Sequence, residues 1–73
     1  MVKYPKPDAY RSGSKVAFHY YKDPEVAKEA AAIAANEAER LEQIGYDFGF
    51  RTPGAMTYCH IGNYAGMTEV VVP

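Results

Sequence analysis

Only one segment of this chain has a helical period. DPEVAKEAAAIAANEAERLEQIG, residues 23–45, opens on Asp23, a good N-cap, with Pro24 at the first helical position. It closes on Gly45, which can take the left-handed conformation that stops a helix. Glu25 falls in the first turn, where the helix dipole favours an acid. At about 100° per residue, Val26, Ala30, Ile33, Ala34, Leu41 and Ile44 share one face, and Glu25, Lys28, Glu29, Asn36, Glu39 and Gln43 the other. Alanines 27, 30, 31, 34, 35 and 38 let this helix approach a sheet or a second helix closely, over a face wider than one small sheet needs. That width suggests a second contact.

Glu37 breaks the pattern, because the helical wheel sets it between Ala30, Ile33 and Leu41 on the side that should be dry. A buried carboxylate must be paired, hydrogen-bonded or protonated. Pairing with Arg40 one turn on would answer this at the rim. A contact to a tyrosine hydroxyl or to another subunit would instead specify a partner.

The flanking segments read as strands. KVAFHYY, residues 15–21, is apolar on both faces, with Val16, Phe18 and Tyr20 pointing one way and Ala17, His19 and Tyr21 the other. Such a strand belongs in the middle of a sheet or an interface. After turns at Gly49 and Pro53-Gly54, AMTYCHI reads as a strand, GNYAG as a turn and MTEVVV as a second strand. The glycine-bounded connection favours an antiparallel hairpin. Residues 1–14, with Pro5, Pro7 and Gly13, show neither period and are expected to form an extended basic arm. The expected fold is α+β: the arm, then β-α-β-β over residues 15–73, with one long helix on a small, mainly antiparallel sheet of three strands.

A chain of 73 residues forms one domain with a small core, and such domains often rely on disulfides, metals or neighbouring subunits. Cys59 has no second cysteine to pair with, and Cys59, His19 and His60 fall short of the roughly four ligands of a structural zinc site. No metal or cofactor is expected. A good monomeric core or oligomerisation remains. The cysteine usage, the lack of a signal-like start and the lack of any apolar run near ~20 residues lead to the expectation of a soluble, intracellular protein that does not engage membranes.

Net charge is −1 but unevenly spread. Residues 1–22 carry Lys3, Lys6, Arg11, Lys15 and Lys22 against Asp8, whereas residues 23–47 hold Asp23, five glutamates and Asp47 against Lys28 and Arg40. A basic arm can bind phosphates, or it can dock on the acidic helix of another copy. Without a continuous basic face, docking is the better reading.

The most reactive-looking stretch is MTYCHIGNY, residues 56–64, where Cys59 adjoins His60. Adjacent residues on a strand point to opposite faces, so these two cannot form a thiolate-imidazole pair. Cys59 is then a small core residue, and Tyr58 and His60 share the other face. His19 and His60 would be neighbours if their strands paired, but two imidazoles make a weak site. GNYAG lacks the lysine and following helix of a phosphate-binding loop. No catalytic residue is assigned, and the chain is not expected to be an enzyme.

Seven tyrosines without a tryptophan are the compositional anomaly. Near Arg11 and Arg51 they could stack on single-stranded bases, but tyrosine is also enriched at protein interfaces. The slightly negative charge favours the interface. The interface candidates are Tyr4, Tyr10, Arg11, Tyr20, Tyr21, Glu37, Tyr58 and Tyr64.

Over residues 15–73, the alanine-rich helix opened by an Asp-Pro cap, the RTPG turn and the strands ending in EVVVP resemble small virion proteins of tailed bacteriophages, of the head-to-tail connector, neck or tail-completion type. The chain departs from that pattern in being short and in carrying more helical glutamates than arginines. The resemblance implies a ring-forming structural protein without catalytic residues. Its arm and strand edges would contact copies of itself and neighbouring structural proteins in a virion assembled in the host cytoplasm. The alternatives are a small nucleic-acid-binding regulator using the arm and tyrosines, or a small inhibitor of a host protein.

Overall fold

The structure is a computed structural model that describes residues 3–13, 15–41 and 52–73. Helix α1 (Pro24–Arg40) begins where the sequence places it. Asp23 Oδ1 accepts from the Glu25 N–H at 2.9 Å, and Pro24 needs no partner for a missing N–H. The helix ends at Arg40 with Leu41 as its C-cap, short of the stop expected at Gly45. Ile44, Gly45 and the turn at Gly49 lie outside the described residues.

Strands β1 (Ala9–Ser12), β2 (Ala17–Tyr21), β3 (Met56–Tyr58) and β4 (Thr68–Val72) form one sheet in the order β1-β2-β4-β3. Every neighbouring pair is antiparallel. The α+β class and the β-α-β-β order hold. The sheet has four strands instead of the expected three because residues 9–12 of the arm fold back as an edge strand. Gly13 makes this hairpin close: its N–H donates to Val16 O at 2.8 Å, and a Cβ there would lie 2.5 Å from the same oxygen. Any side chain would push the strands apart.

The sheet buries both faces. On the first, Ala17, Tyr21, Val70 and Val72 meet Ala27, Ala30, Ala31 and Ala34 of α1. The buried helix stripe is thus Ala27, Ala30, Ala31, Ala34 and Ala38, rotated from the expected one. Val26 and Ile33 are half-buried on its flank, and Leu41, past the helix end, is exposed. The physical reason is size. The sheet brings tyrosine and valines to the contact, and only methyl groups allow the helix axis close enough to bury them.

The second contact suggested by the wide alanine face comes from within the chain. The Pro53-Gly54 turn lies on the helix so closely that a Cβ at Gly54 would sit 2.8 Å from Ala35 Cβ. Gly54 also has φ +91°, where a side chain is strained.

Val16, Phe18, Tyr20 and Val71 make a second cluster on the opposite face. Its cover is the β3–β4 connection, which includes a 3-10 turn at Gly62–Tyr64 and packs Cys59, Tyr64 and Met67 against the cluster. Cys59 N–H donates to Met67 O at 2.8 Å and Gly66 N–H to Cys59 O at 3.0 Å, closing the loop base.

Candidate functional site

Three groups of side chains stand out, and they differ in how far their bonding is completed within the chain. The first lies on the loop-covered face. Register places Ala9, Tyr20, Glu69 and Thr57 in one row across the sheet, with Arg11 beside Phe18 two rows on and on the same face. Tyr20, 1% exposed, donates from its hydroxyl to Glu69 Oε2 at 2.8 Å. Arg11 Nε donates to the Tyr20 hydroxyl at 3.3 Å, its Nη2 lies 3.9 Å from Glu69 Oε2, and its guanidinium sits 4.3 Å above the Phe18 ring centre. Tyr64 stacks on Tyr20 with centroids 3.9 Å apart. Burial pushes the Tyr20 phenol up, with Arg11 opposing and Glu69 adding to the rise. The hydrogen bond to Tyr20 raises Arg11 further above its already high value. These groups neutralise one another, which is the condition for keeping a carboxylate in a mostly dry site.

Two open depressions adjoin the cluster, one of about 240 Å³ beside Tyr58, His60 and Glu69 and one of about 350 Å³ beside Arg11, Asn63 and Tyr64. Cys59 borders both. Its thiol donates to Ile61 O at 3.6 Å, and its side chain packs on the second core cluster. His60 instead meets the Tyr58 ring at 4.9 Å, edge to face. The strand expected over AMTYCHI is shorter, Met56–Tyr58, so Cys59 and His60 follow its end, and the thiol and the imidazole engage different groups while both border the smaller depression. His19 and His60 are not neighbours either, because β4 separates β2 from β3. Among the described residues, no three His, Cys, Asp or Glu side chains are grouped to hold a metal ion.

The second group ties residues 4–8 to the helix-side face. Tyr21, 1% exposed, donates to Pro5 O at 2.9 Å and lies 3.1 Å from His19 Nδ1. Because the phenol proton goes to Pro5, its oxygen can accept from an Nδ1–H of His19. Tyr4 packs its edge on His19 at 5.5 Å, and Lys22 N–H donates to Asp8 Oδ2 at 2.8 Å. Burial, with smaller contributions from Tyr4 and Asp8, pushes Tyr21 up to about 12, and burial holds His19 below its ordinary value. The Tyr4 hydroxyl is buried with no hydrogen-bond partner among the described residues, and its pKa is raised by burial and then by Glu37.

The third group lies along the sheet's edges. Tyr10 on β1 is 70% exposed, and Met56, Tyr58 and Ile61 are exposed in and just after β3, with Ile61 at 79%.

The eight interface candidates therefore separate. Tyr10 and Tyr58 are on the surface, Arg11 is half-exposed but engaged, and Tyr4 and Tyr64 pack inward. Tyr20 and Tyr21 are a correction: both are core residues, because β2 is an inner strand covered on both sides. Glu37 pairs with Arg40 through two hydrogen bonds, one of them 3.3 Å from Arg40 Nε, which holds its carboxyl below the usual range. Two residues that sequence reasoning passed over matter more. Glu69 looked like one polar position in an apolar strand, and its signal was EVVV, a charge in the strand with the longest β-branched run. Ile61 looked like the end of a strand and is the most exposed large apolar residue described.

No family model, no curated protein and no solved structure matches this chain. Among the described residues, no helix is long and apolar enough to cross a membrane.

Proposed function

We propose that this protein is a structural assembly subunit, working through contacts with copies of itself and with neighbouring structural proteins in a tailed-phage particle. One observation carries the reading. The polar cluster on the sheet is internally neutralised, while Tyr10, Met56, Tyr58 and Ile61 lie outside a core built largely from alanine and valine. A chain with so little core keeps large apolar groups at its surface at a cost in solubility, and contact with another protein surface removes that cost. The virion setting comes from the likeness of the capped helix and short strands to connector and neck proteins.

The nucleic-acid alternative has less support. Arg11 is occupied by Phe18, Tyr20 and Glu69, and one face of the Tyr64 ring is taken by Tyr20. Stacking on bases needs free aromatic faces beside free cations.

Sedimentation velocity over micromolar concentrations tests the proposal: species larger than monomer are expected, growing with concentration. A sole monomer throughout would count against it. Detection of the chain in purified particles by peptide mass spectrometry tests the setting.

A further inference from the structure

We infer that copies of this chain join head to tail through their sheet edges, β1 of one copy pairing antiparallel with β3 of the next. This rests on the assembly reading above and names the surfaces that would carry it.

Backbone phase comes first. Val71 N–H donates to Ala55 O at 3.1 Å and Cys59 N–H to Met67 O at 2.8 Å, so the Ala55 carbonyl and the backbone groups of residues 57 and 59 turn toward β4. In an antiparallel ladder the residues between them turn theirs away. Met56 and Tyr58 thus present N–H and C=O groups at the outer edge. At the other end, Gly13 N–H donates to Val16 O at 2.8 Å, which sets Ala9 and Arg11 toward β2 and turns Tyr10 and Ser12 outward. Among the described residues, no strand pairs with either outer edge.

Side-chain phase agrees. Tyr10, His19, Val70 and Met56 occupy one row across the sheet, Ser12 lies in the row of Ala17 and Val72, and Tyr58 in that of Tyr21 and Thr68. All four outward residues therefore carry their side chains on the helix side. Directly opposed residues in an antiparallel pair share a face. Tyr10 can then stand opposite Tyr58 of the next copy and Ser12 opposite Met56 without turning either sheet over.

Strand direction completes the match. With four strands alternating in direction, β1 and β3 run opposite to each other, so moving one copy along the sheet brings them together antiparallel. The same contact then repeats on the next copy, which is the heterologous geometry of rings and filaments. Charge separates this from a symmetric β1–β1 dimer. Residues 6–15, in and around β1, carry Lys6, Arg11 and Lys15 against Asp8, with Arg11 matched by Glu69, and this net positive segment would meet its own kind, whereas residues 52–61 carry no Asp, Glu, Lys or Arg. Strand β3 also has none of the lysines or prolines that commonly block an open edge.

The test uses the full chain with Ser12→Pro and Met56→Pro, each of which removes one outward N–H and leaves the inner ladder intact. Sedimentation velocity should show loss of the larger species in each variant, and an equimolar mixture should form a dimer and stop there. Persistence of wild-type oligomers in either variant overturns the edge contact but leaves the assembly reading standing. A wild type that never leaves the monomer overturns both. Loss of assembly in only one variant identifies a symmetric contact and overturns the head-to-tail arrangement. Amide hydrogen exchange on the wild type decides the matter if a variant does not fold: Tyr10, Ser12, Met56 and Tyr58 should slow together as concentration rises. Unchanged exchange at these four amides in the oligomer overturns the inference.

Discussion

The helix-covered face of the sheet packs methyl groups of α1 against Tyr21, Val70 and Val72, whereas the opposite face holds Glu69, Tyr20 and Arg11 beneath Tyr64. A rigid rod covers the first and a glycine-bounded loop the second. On the helix side, closeness is set by side-chain size. On the loop side, the cover is looser and a charge is retained by matching it with an opposite charge and a phenol. A thin sheet can thus have a shape-specified face and a charge-specified face, and substitutions on the two should fail for different reasons.

The largest effect should come from overfilling the first face. Ala34→Leu places a branched side chain where nothing is exposed, and thermal or urea denaturation should show a loss of about 3 kcal/mol. A loss under about 1 kcal/mol would mean the helix can ride outward, and the contrast between the faces would fall.

On the charged face, Glu69→Ala should cost about 2 kcal/mol, less than a fully buried pair would, because Arg11 is half-exposed. Tyr20→Phe in the same background should then cost less than it does alone. A double-mutant cycle without coupling would show that the two groups do not act as a unit.

Smaller effects probe the residues 4–8 strap. Tyr21→Phe removes the bond to Pro5 O and should cost about 1 kcal/mol. Tyr4→Phe deletes a buried hydroxyl that has no partner among the described residues, so it should be neutral or stabilising by about 0.5 kcal/mol. A clear loss in Tyr4→Phe would reveal a partner for that hydroxyl.

The smallest expected effect is a pH slope. His19 is held below its ordinary value of 6.5 by burial, so the unfolded chain takes up its proton first as pH falls. The stability from neutral His19 is complete above 6.5 and declines below it, until the folded-state value is passed. Melting temperatures between neutral and mildly acid pH should fall more in the wild type than in His19→Gln. Equal slopes would place the proton elsewhere.

How much of this was legible varies by residue. The start of α1 was, because Asp23 and Pro24 act on the neighbouring backbone. A strand within AMTYCHI was legible too, but not that it stops at Tyr58, before Cys59 and His60. The structural place of Tyr20 and Tyr21 was not: a two-sided apolar strand suits an inner position or an interface equally. Their burial depends on β1 and β4 arriving on either side, and on α1 and the Tyr64 loop as covers. The site built on Glu69 was hidden because its partners, Arg11 and Tyr20, are far away in sequence.

Local chemistry in the chain was enough to set the element types, the helix cap, the antiparallel hairpin and the α+β class, since each depends on interactions spanning a few residues. Which alanines are buried, which tyrosines remain outside, and that residues 9–12 become a strand were decided only by the tertiary structure. Those outcomes depend on distant segments competing for the same two faces, and helix and strand periods carry no record of which neighbour arrives.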